Sequence, residues 1–160
     1  MQCAVPSREN VASYEELKNG VERLVGSING EFGSVGTVAV HYLHRDHTPE
    51  ELASLYMAAD VMLVTPLRDG MNLVAKEYVA TRVDNDGVLI LSEFTGAARE
   101  LRQALVVNPH DVDGLASTLA HALTMPAKEA ARRMRLLRDV VREHTVHEWG
   151  KRFLEDLANK

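Results

Sequence analysis

The chain has a single cysteine, Cys3, so no intramolecular disulfide can form and a Cys-rich zinc site is excluded. Cys3 falls in the first apolar segment, where a buried, inert thiol is expected. No uninterrupted apolar run approaches the ~20 residues of a membrane-spanning helix. Met1 to Asn10 lacks a basic stretch followed by an apolar one, so no secretory signal is read. Basic residues are outnumbered, 18 Lys and Arg against 23 Asp and Glu, and the net charge of -5 gives no whole-chain nucleic-acid footprint. These shortages point to a reduced, cytoplasmic protein with no nucleic-acid or membrane partner. With 46% hydrophobic and 26% charged residues, the 160-residue chain has the make-up of one globular domain, not of a disordered or fibrous chain.

Strand-like and helix-like patterns alternate. Met1–Val5 is short and apolar. Val11, Tyr14, Leu17, Val21, Leu24, Val25 and Ile28 form one stripe, which predicts a helix that Asn29-Gly30 and Gly33 end. Thr37–Leu43 is β-branched and reads as a strand. Thr48-Pro49-Glu50-Glu51 is a helix start, with a capping hydroxyl, a first-turn proline and acids that suit the dipole. Val61–Val64 reads as a strand buried on both faces. A loop over Thr65–Asn72 leads into a helix over Leu73–Thr81. A turn at Asn85-Asp86-Gly87 precedes a buried strand over Val88–Leu91, and a short helix follows near Gly96–Leu101. Leu105–Val107 is a strand, Asp111–Leu123 a helix, and Pro126 opens another to about Glu143. Thr145–Leu157 is a last amphipathic helix. Strands separated by single helices imply right-handed crossovers, hence an α/β fold: a three-layer α/β/α Rossmann-like domain with a mainly parallel sheet. Ligands of such sheets bind beyond the carboxyl ends of the strands.

The loop after Val64 carries the chemistry. Asp69 and Asn72 supply acceptors and a donor for sugar hydroxyls. Gly70 lets backbone approach a ligand closely. The helix that follows offers unpaired N–H groups to an anion. Glu77, one turn inside, has two oxygens for the hydroxyls of a ribose. The same string also reads as a plain turn, with Asn72 the N-cap and Glu77 solvated.

The run Thr65-Pro-Leu-Arg-Asp-Gly-Met-Asn-Leu-Val-Ala-Lys-Glu-Tyr78 resembles the signature of trehalose-6-phosphate synthases, retaining GT-B glycosyltransferases of family 20. The likeness continues through Gly87–Ala98, Leu105–Pro109, Val5-Pro-Ser-Arg8 and Gly26–Gly30. It takes in nearly the whole chain and matches the C-terminal, donor-binding half of that family. It implies one sugar-nucleotide-binding domain over 1–160, with 145–159 a crossover-type C-terminal helix. The reaction implied moves glucose from UDP-glucose to glucose 6-phosphate, with no metal or other cofactor and no side chain acting as nucleophile. The resemblance assigns Asp69, Gly70, Met71 and Asn72 to the donor sugar. It gives the amides of Leu73 and Val74 to the diphosphate, Glu77 to the ribose and Arg8 to the acceptor phosphate. Arg45–His47 would border the uracil, and Ser92-Glu93 would line the donor cleft. The family's acceptor-binding N-terminal half has no counterpart here, nor do the first strand of its C-terminal half and the Arg and Lys after it. The expected partners are therefore a separate N-terminal half or a second copy, and the isolated chain is expected to be inactive. The alternative is a non-catalytic sugar-nucleotide-binding or interaction subunit. The choice among UDP, GDP and ADP stays open.

Other patterns have plain readings. His41, His44 and His47 recur every three residues, but a strand sends His41 and His44 to opposite faces, so satisfied or solvated histidines are expected. Arg132, Arg133, Arg135, Arg138 and Arg142 read as a solvated basic helix face. Trp149, Phe153, Leu154 and Leu157 make an apolar stripe on the last helix, part of it expected to lie uncovered and to favour self-association; the alternative is a helix folded back onto its own domain.

Overall fold

Two parallel strands cannot be joined by a tight turn; the chain must cross back, and a helix is the usual means. The computed structural model describes residues 1–6 and 12–158, with Arg152 described by its backbone alone. Two compact units emerge, Met1–Pro49 and Glu50–Lys160.

In the first unit β1 (Gln2–Ala4) pairs in parallel with β2 (Tyr42–His44), and α1 (Ala12–Phe32) connects them. α1 outlasts the stop expected at Asn29-Gly30. The Asn29 side chain is turned to Val40 instead: its Oδ1 accepts the Val40 N–H at 2.8 Å and its Nδ2 donates to the Val40 carbonyl at 3.0 Å. Gly30 therefore stays helical. The stop falls at Gly33, where a side chain would run into the Asn29 carbonyl oxygen. Residues 37–41 do not join a strand as expected. Ser34 and Thr37 exchange two backbone hydrogen bonds of 2.9 and 3.0 Å, and this tight loop delays the strand until Tyr42. Cys3 is exposed, not buried, because its short strand has β2 alone as a neighbour among the described residues.

In the second unit the sheet is β3 (Val61–Val64), β4 (Val88–Ser92) and β5 (Leu105–Val107), in that spatial order and all parallel. α2 (Pro49–Ala58), α3 (Leu73–Thr81), α4 (Val112–Leu123), α5 (Ala127–Glu143) and α6 (Val146–Ala158) complete it. All five residues of the central strand β4 are buried. Its side chains alternate. Leu89 and Leu91 pack with Tyr56, Tyr78, Val79, Met134 and Leu137, while Val88 and Ile90 pack with Val107, Ala122 and Ala130. Helices thus cover both faces, as the alternating pattern implied. β3 is less enclosed than its continuous apolar run suggested. It lies at the edge of this three-stranded sheet, and Leu63 is 39% exposed.

Two arginines fix the turn that enters β4. Arg82, 3% exposed, ends α3 and donates through Nη1 to the carbonyls of Tyr56, Met57 and Ala59, which close α2. Its Nε donates to the Asp86 carbonyl at 2.9 Å, and Asp84 and Asp86 balance its charge at 3.4 and 3.7 Å. Arg138 was expected on a solvated face. It is buried, because its Nη1 donates to Asn85 Oδ1 at 2.7 Å and to the Val83 carbonyl at 3.3 Å. Asn85 and Gly87 hold the left-handed φ values, 58° and 84°, that the turn needs. The apolar stripe of α6 is uncovered in this unit, with Trp149 and Phe153 stacked at 5.4 Å.

Arg82→Met removes the donors from three helix-terminal carbonyls. Urea unfolding is expected to show a loss of about 3 kcal/mol, the scale for breaking a buried charged hydrogen-bond cluster; a loss below about 1 kcal/mol would show that water replaces the guanidinium there.

Candidate functional site

The three parallel strands of the second unit end on one edge, so the segments after β3, β4 and β5 gather there. The segment after β3 is organised by Asp69. Its Oδ1 accepts the Met71 N–H at 3.0 Å and its Oδ2 accepts from Asn72 Nδ2 at 3.1 Å. Asn72 has φ 76°, a conformation that asparagine tolerates better than most residues, and its Oδ1 caps α3 by accepting the Ala75 N–H at 2.9 Å. The bland expectation for Asn72 therefore holds, and it does not compete with a ligand role. A carboxylate has about four lone-pair sites and Asp69 spends two, so two remain for an outside donor.

Because Asn72 takes the Ala75 amide, the two preceding N–H groups, of Leu73 and Val74, have no partner among the described residues. They sit at the positive end of the α3 dipole. Glu77 follows one turn on, exposed, with Oε2 accepting from the Tyr56 hydroxyl at 3.1 Å. Gly70 is exposed, with open space where a side chain would stand. Asp69, Gly70, Met71, Asn72, Leu73, Val74 and Glu77 thus form one continuous surface along the loop and first turns of α3.

The segment after β4 backs this loop. Asp69 N–H donates to the Phe94 carbonyl at 3.1 Å, Gly96 N–H to the Asp69 carbonyl at 3.1 Å, and Ala97 N–H to the Met71 carbonyl at 2.9 Å. Ser92 is fully buried, and its Oγ accepts the Phe94 N–H at 3.1 Å, so its hydroxyl is structural. Thr95 caps the 3-10 turn Gly96–Arg99, accepting from Ala98 N–H and donating to the Ser92 carbonyl at 2.9 Å. Lys76 on α3 donates to Glu100 Oε2 at 2.7 Å, and His144 Nδ1 lies 3.4 Å from the same oxygen. Burial pushes the Glu100 carboxyl up, but the hydrogen bond and charge of Lys76, aided by His144, outweigh it and leave it lowered. Among the described residues no group of three or more His, Cys, Asp or Glu is placed to hold a metal, and no helix is long and apolar enough to cross a membrane.

The sequence matches glycosyltransferase family 20 over residues 1–159. The chain belongs to this family. It is 61% identical over 158 residues to the trehalose-6-phosphate synthase of Mycobacterium leprae, covering 99% of this chain and 32% of that relative. Identity to the Mycobacterium tuberculosis H37Rv protein of the same name is 57%, with 99% and 32% covered. The solved α,α-trehalose-phosphate synthase (UDP-forming) of Burkholderia xenovorans, in complex with glucose-6-phosphate, is 45% identical with a TM-score of 0.93, covering 98% of this chain and 35% of that one. An E. coli structure bound with UDP-2-fluoro glucose gives 44% identity and a TM-score of 0.92, with 98% and 35% covered. The fold expected from the sequence, an α/β domain of the GT-B type, is that of these family 20 structures. The chain spans about a third of the length of the relatives it matches.

Of the residues singled out for chemistry, Arg8 lies outside the described residues. Arg45, Asp46 and His47 follow β2 in the first unit, where Arg45 Nη1 donates to the Asp46 carbonyl at 3.1 Å. The sequence reading missed Tyr56, the Lys76–Glu100–His144 chain and the backing turn at Thr95-Gly96. Tyr56 reads as one more apolar residue of α2, and Lys76 and Glu100 are 24 positions apart, too far for any local pattern.

A carboxyl lowered by folding adds stability that is present above its unfolded value, 4.5, and lost as pH falls through the lower folded value. The stability gap between the unsubstituted chain and Glu100→Gln is expected to be widest near neutral pH and to close as pH drops below about 4.5. Urea midpoints measured across that range check it; a gap independent of pH would mean that the Lys76 pair contributes nothing.

Proposed function

We propose that this chain forms the donor-binding part of a retaining glucosyltransferase that moves glucose from UDP-glucose to glucose 6-phosphate, giving trehalose 6-phosphate and UDP. The observation that carries the reading is the continuous surface of Asp69–Val74 and Glu77 at the carboxyl edge of the sheet, in a chain of family 20. Asp69 and Asn72 hold sugar hydroxyls, and Gly70 and Met71 supply backbone beside them. The free Leu73 and Val74 amides hold diphosphate oxygens at the dipole's positive end. Glu77, kept in place by Tyr56, accepts from the ribose hydroxyls. Arg8 is assigned to the phosphate of the acceptor. UDP is favoured over GDP and ADP because a family structure 45% identical is described as UDP-forming.

Chemistry in this reading needs no protein nucleophile, metal or cofactor. The bond from the anomeric carbon to the diphosphate oxygen breaks as the acceptor hydroxyl bonds to the same face of that carbon. The hydroxyl proton passes to the departing phosphate oxygen, and the residues here bind and position. Both substrates carry phosphate charge that a bilayer retains, which suits a cytoplasmic site of action. The acceptor site and the cations that would neutralise the leaving group belong, in this reading, to the other two thirds of the relatives' length. A non-catalytic donor-binding subunit is the second reading, in which the same surface holds the sugar nucleotide without turnover.

Titration calorimetry on the chain tests the binding roles. Glu77→Ala is expected to weaken UDP and UDP-glucose alike by roughly 1.5–3 kcal/mol, the range for hydrogen bonds to a charged group. Asp69→Ala should weaken UDP-glucose and spare UDP; equal losses for both ligands would refute the division of roles. A UDP-release assay on the chain alone is expected to show no turnover above background, and turnover without an added partner would refute the assignment of the leaving-group cations elsewhere.

A further inference from the structure

The sugar-facing loop has no regular structure of its own, and what fixes it lies 25 residues further along the chain. Asp69 and Met71, on either side of Gly70, are stitched to residues 94–97 by three main-chain hydrogen bonds, and Asp69 forms a parallel bridge with Thr95. Gly96 stands at the closest approach. A Cβ there would fall onto the Gly70 carbonyl oxygen, 2.9 Å from the carbonyl carbon and 3.4 Å from Met71 Cα. All three are backbone atoms, so no side-chain rotation relieves the clash. Gly96 is not among the residues with positive φ, so what it supplies is space, not backbone freedom. Gly70, the glycine that the sequence makes conspicuous, has nothing within 4 Å of where its Cβ would be.

We propose that Gly96, with Thr95 beside it, is a positioning residue that sets the sugar half of the donor site and leaves the nucleotide half alone. This rests on the donor-site reading above. Both carboxylate oxygens of Asp69 are tied within the loop, to Met71 N–H and Asn72 Nδ2, so the direction of the carboxylate follows the loop backbone. Pushing Gly70 outward carries Asp69 with it. α3 is anchored apart from this turn, through buried Ala75, Tyr78 and Val79 and through Arg82 at its far end, so Glu77 stays where it is. Thr95 acts on the same contact without steric change. Its hydroxyl joins Ser92 to Ala98, and the turn that presents the Gly96 N–H depends on it.

The test measures UDP and UDP-glucose affinities of the chain for Gly96→Ala and Thr95→Val, with far-UV circular dichroism to establish folding. Small displacements of a positioned group have large effects, so UDP-glucose is expected to weaken about tenfold or more in Gly96→Ala while UDP stays within about twofold. Thr95→Val should shift the ratio in the same direction and carries the test where Gly96→Ala does not fold. Amide exchange at Asp69 and Ala97 should quicken in either variant. Equal weakening of both ligands would reduce the turn to a general structural role and overturn the proposal, as would an unchanged ratio. An unsubstituted chain that binds no UDP would overturn the donor-site reading, and this inference with it.

Discussion

The Arg82 guanidinium is the contact on which the second unit depends. Helix ends leave carbonyls without partners, and burying them unpaired costs more than a single hydrogen bond gains. α2 ends against the sheet, and one side chain from the end of α3 reaches its last carbonyls. The same group holds Asp86 and, through it, the turn into β4. That couples the end of α2, the end of α3 and the start of the central strand. α3 carries the Leu73 and Val74 amides at its other end and Glu77 on its second turn, so the direction in which these groups point is set at the far end of the helix, at Arg82. Arg138, reaching the same turn from α5, adds a second fixed point.

Electrostatics at the site are one-sided. In the proposed reading a diphosphate brings concentrated negative charge, yet the groups of α3 assigned to it are neutral amides and a helix dipole, each worth a fraction of a kcal/mol to about 2 kcal/mol. Lys76, the nearby cation on α3, is already committed to Glu100 at 2.7 Å. Asp69 and Glu77 are acids that suit hydroxyls, not phosphates. In that reading such a surface holds a sugar nucleotide in its ground state. Stabilising the extra charge on a departing diphosphate needs cations of the kind that commonly supply several kcal/mol. In the proposed reading, binding and bond breaking therefore draw on different groups, and those gathered on α3 and its loop are assigned to binding.

Where structure follows from neighbours in sequence, the sequence showed it. α3 runs from Leu73 to Thr81 and β5 from Leu105 to Val107 as predicted, because the Asp69–Asn72 loop caps one and Asn108-Pro109 closes the other within a few residues. The loop's candidate residues were legible for the same reason. Errors came where a distant partner decided. Asn29 looks like a helix stop until Val40, 11 positions on, claims its amide. Arg138 looks solvated until a turn 53 positions earlier needs its donors. Leu63 belongs to an unbroken apolar run, and only its strand's place at the sheet edge exposes it. The two glycines of the site show the same division. Gly70 stands out beside Asp69, while Gly96 has no local mark, and it is Gly96 whose missing side chain the packing requires.

α6 sets a different balance from the helices around the sheet. A 13-residue helix is marginal in water by itself and owes its stability to an apolar face packed against something. Trp149, Phe153, Leu154 and Leu157 provide such a face, and each is at least half exposed here. Two local contacts support the helix. The Trp149 N–H donates to the Thr145 carbonyl at 3.0 Å, and the Trp149 and Phe153 rings stack one turn apart. An i, i+4 pair of this kind contributes about 0.2–0.5 kcal/mol, far less than burying a single large side chain would. α5 differs in kind: its Met134 and Leu137 are locked in the core, so tertiary packing in this part of the chain ends with α5, and α6 carries its apolar face into the open.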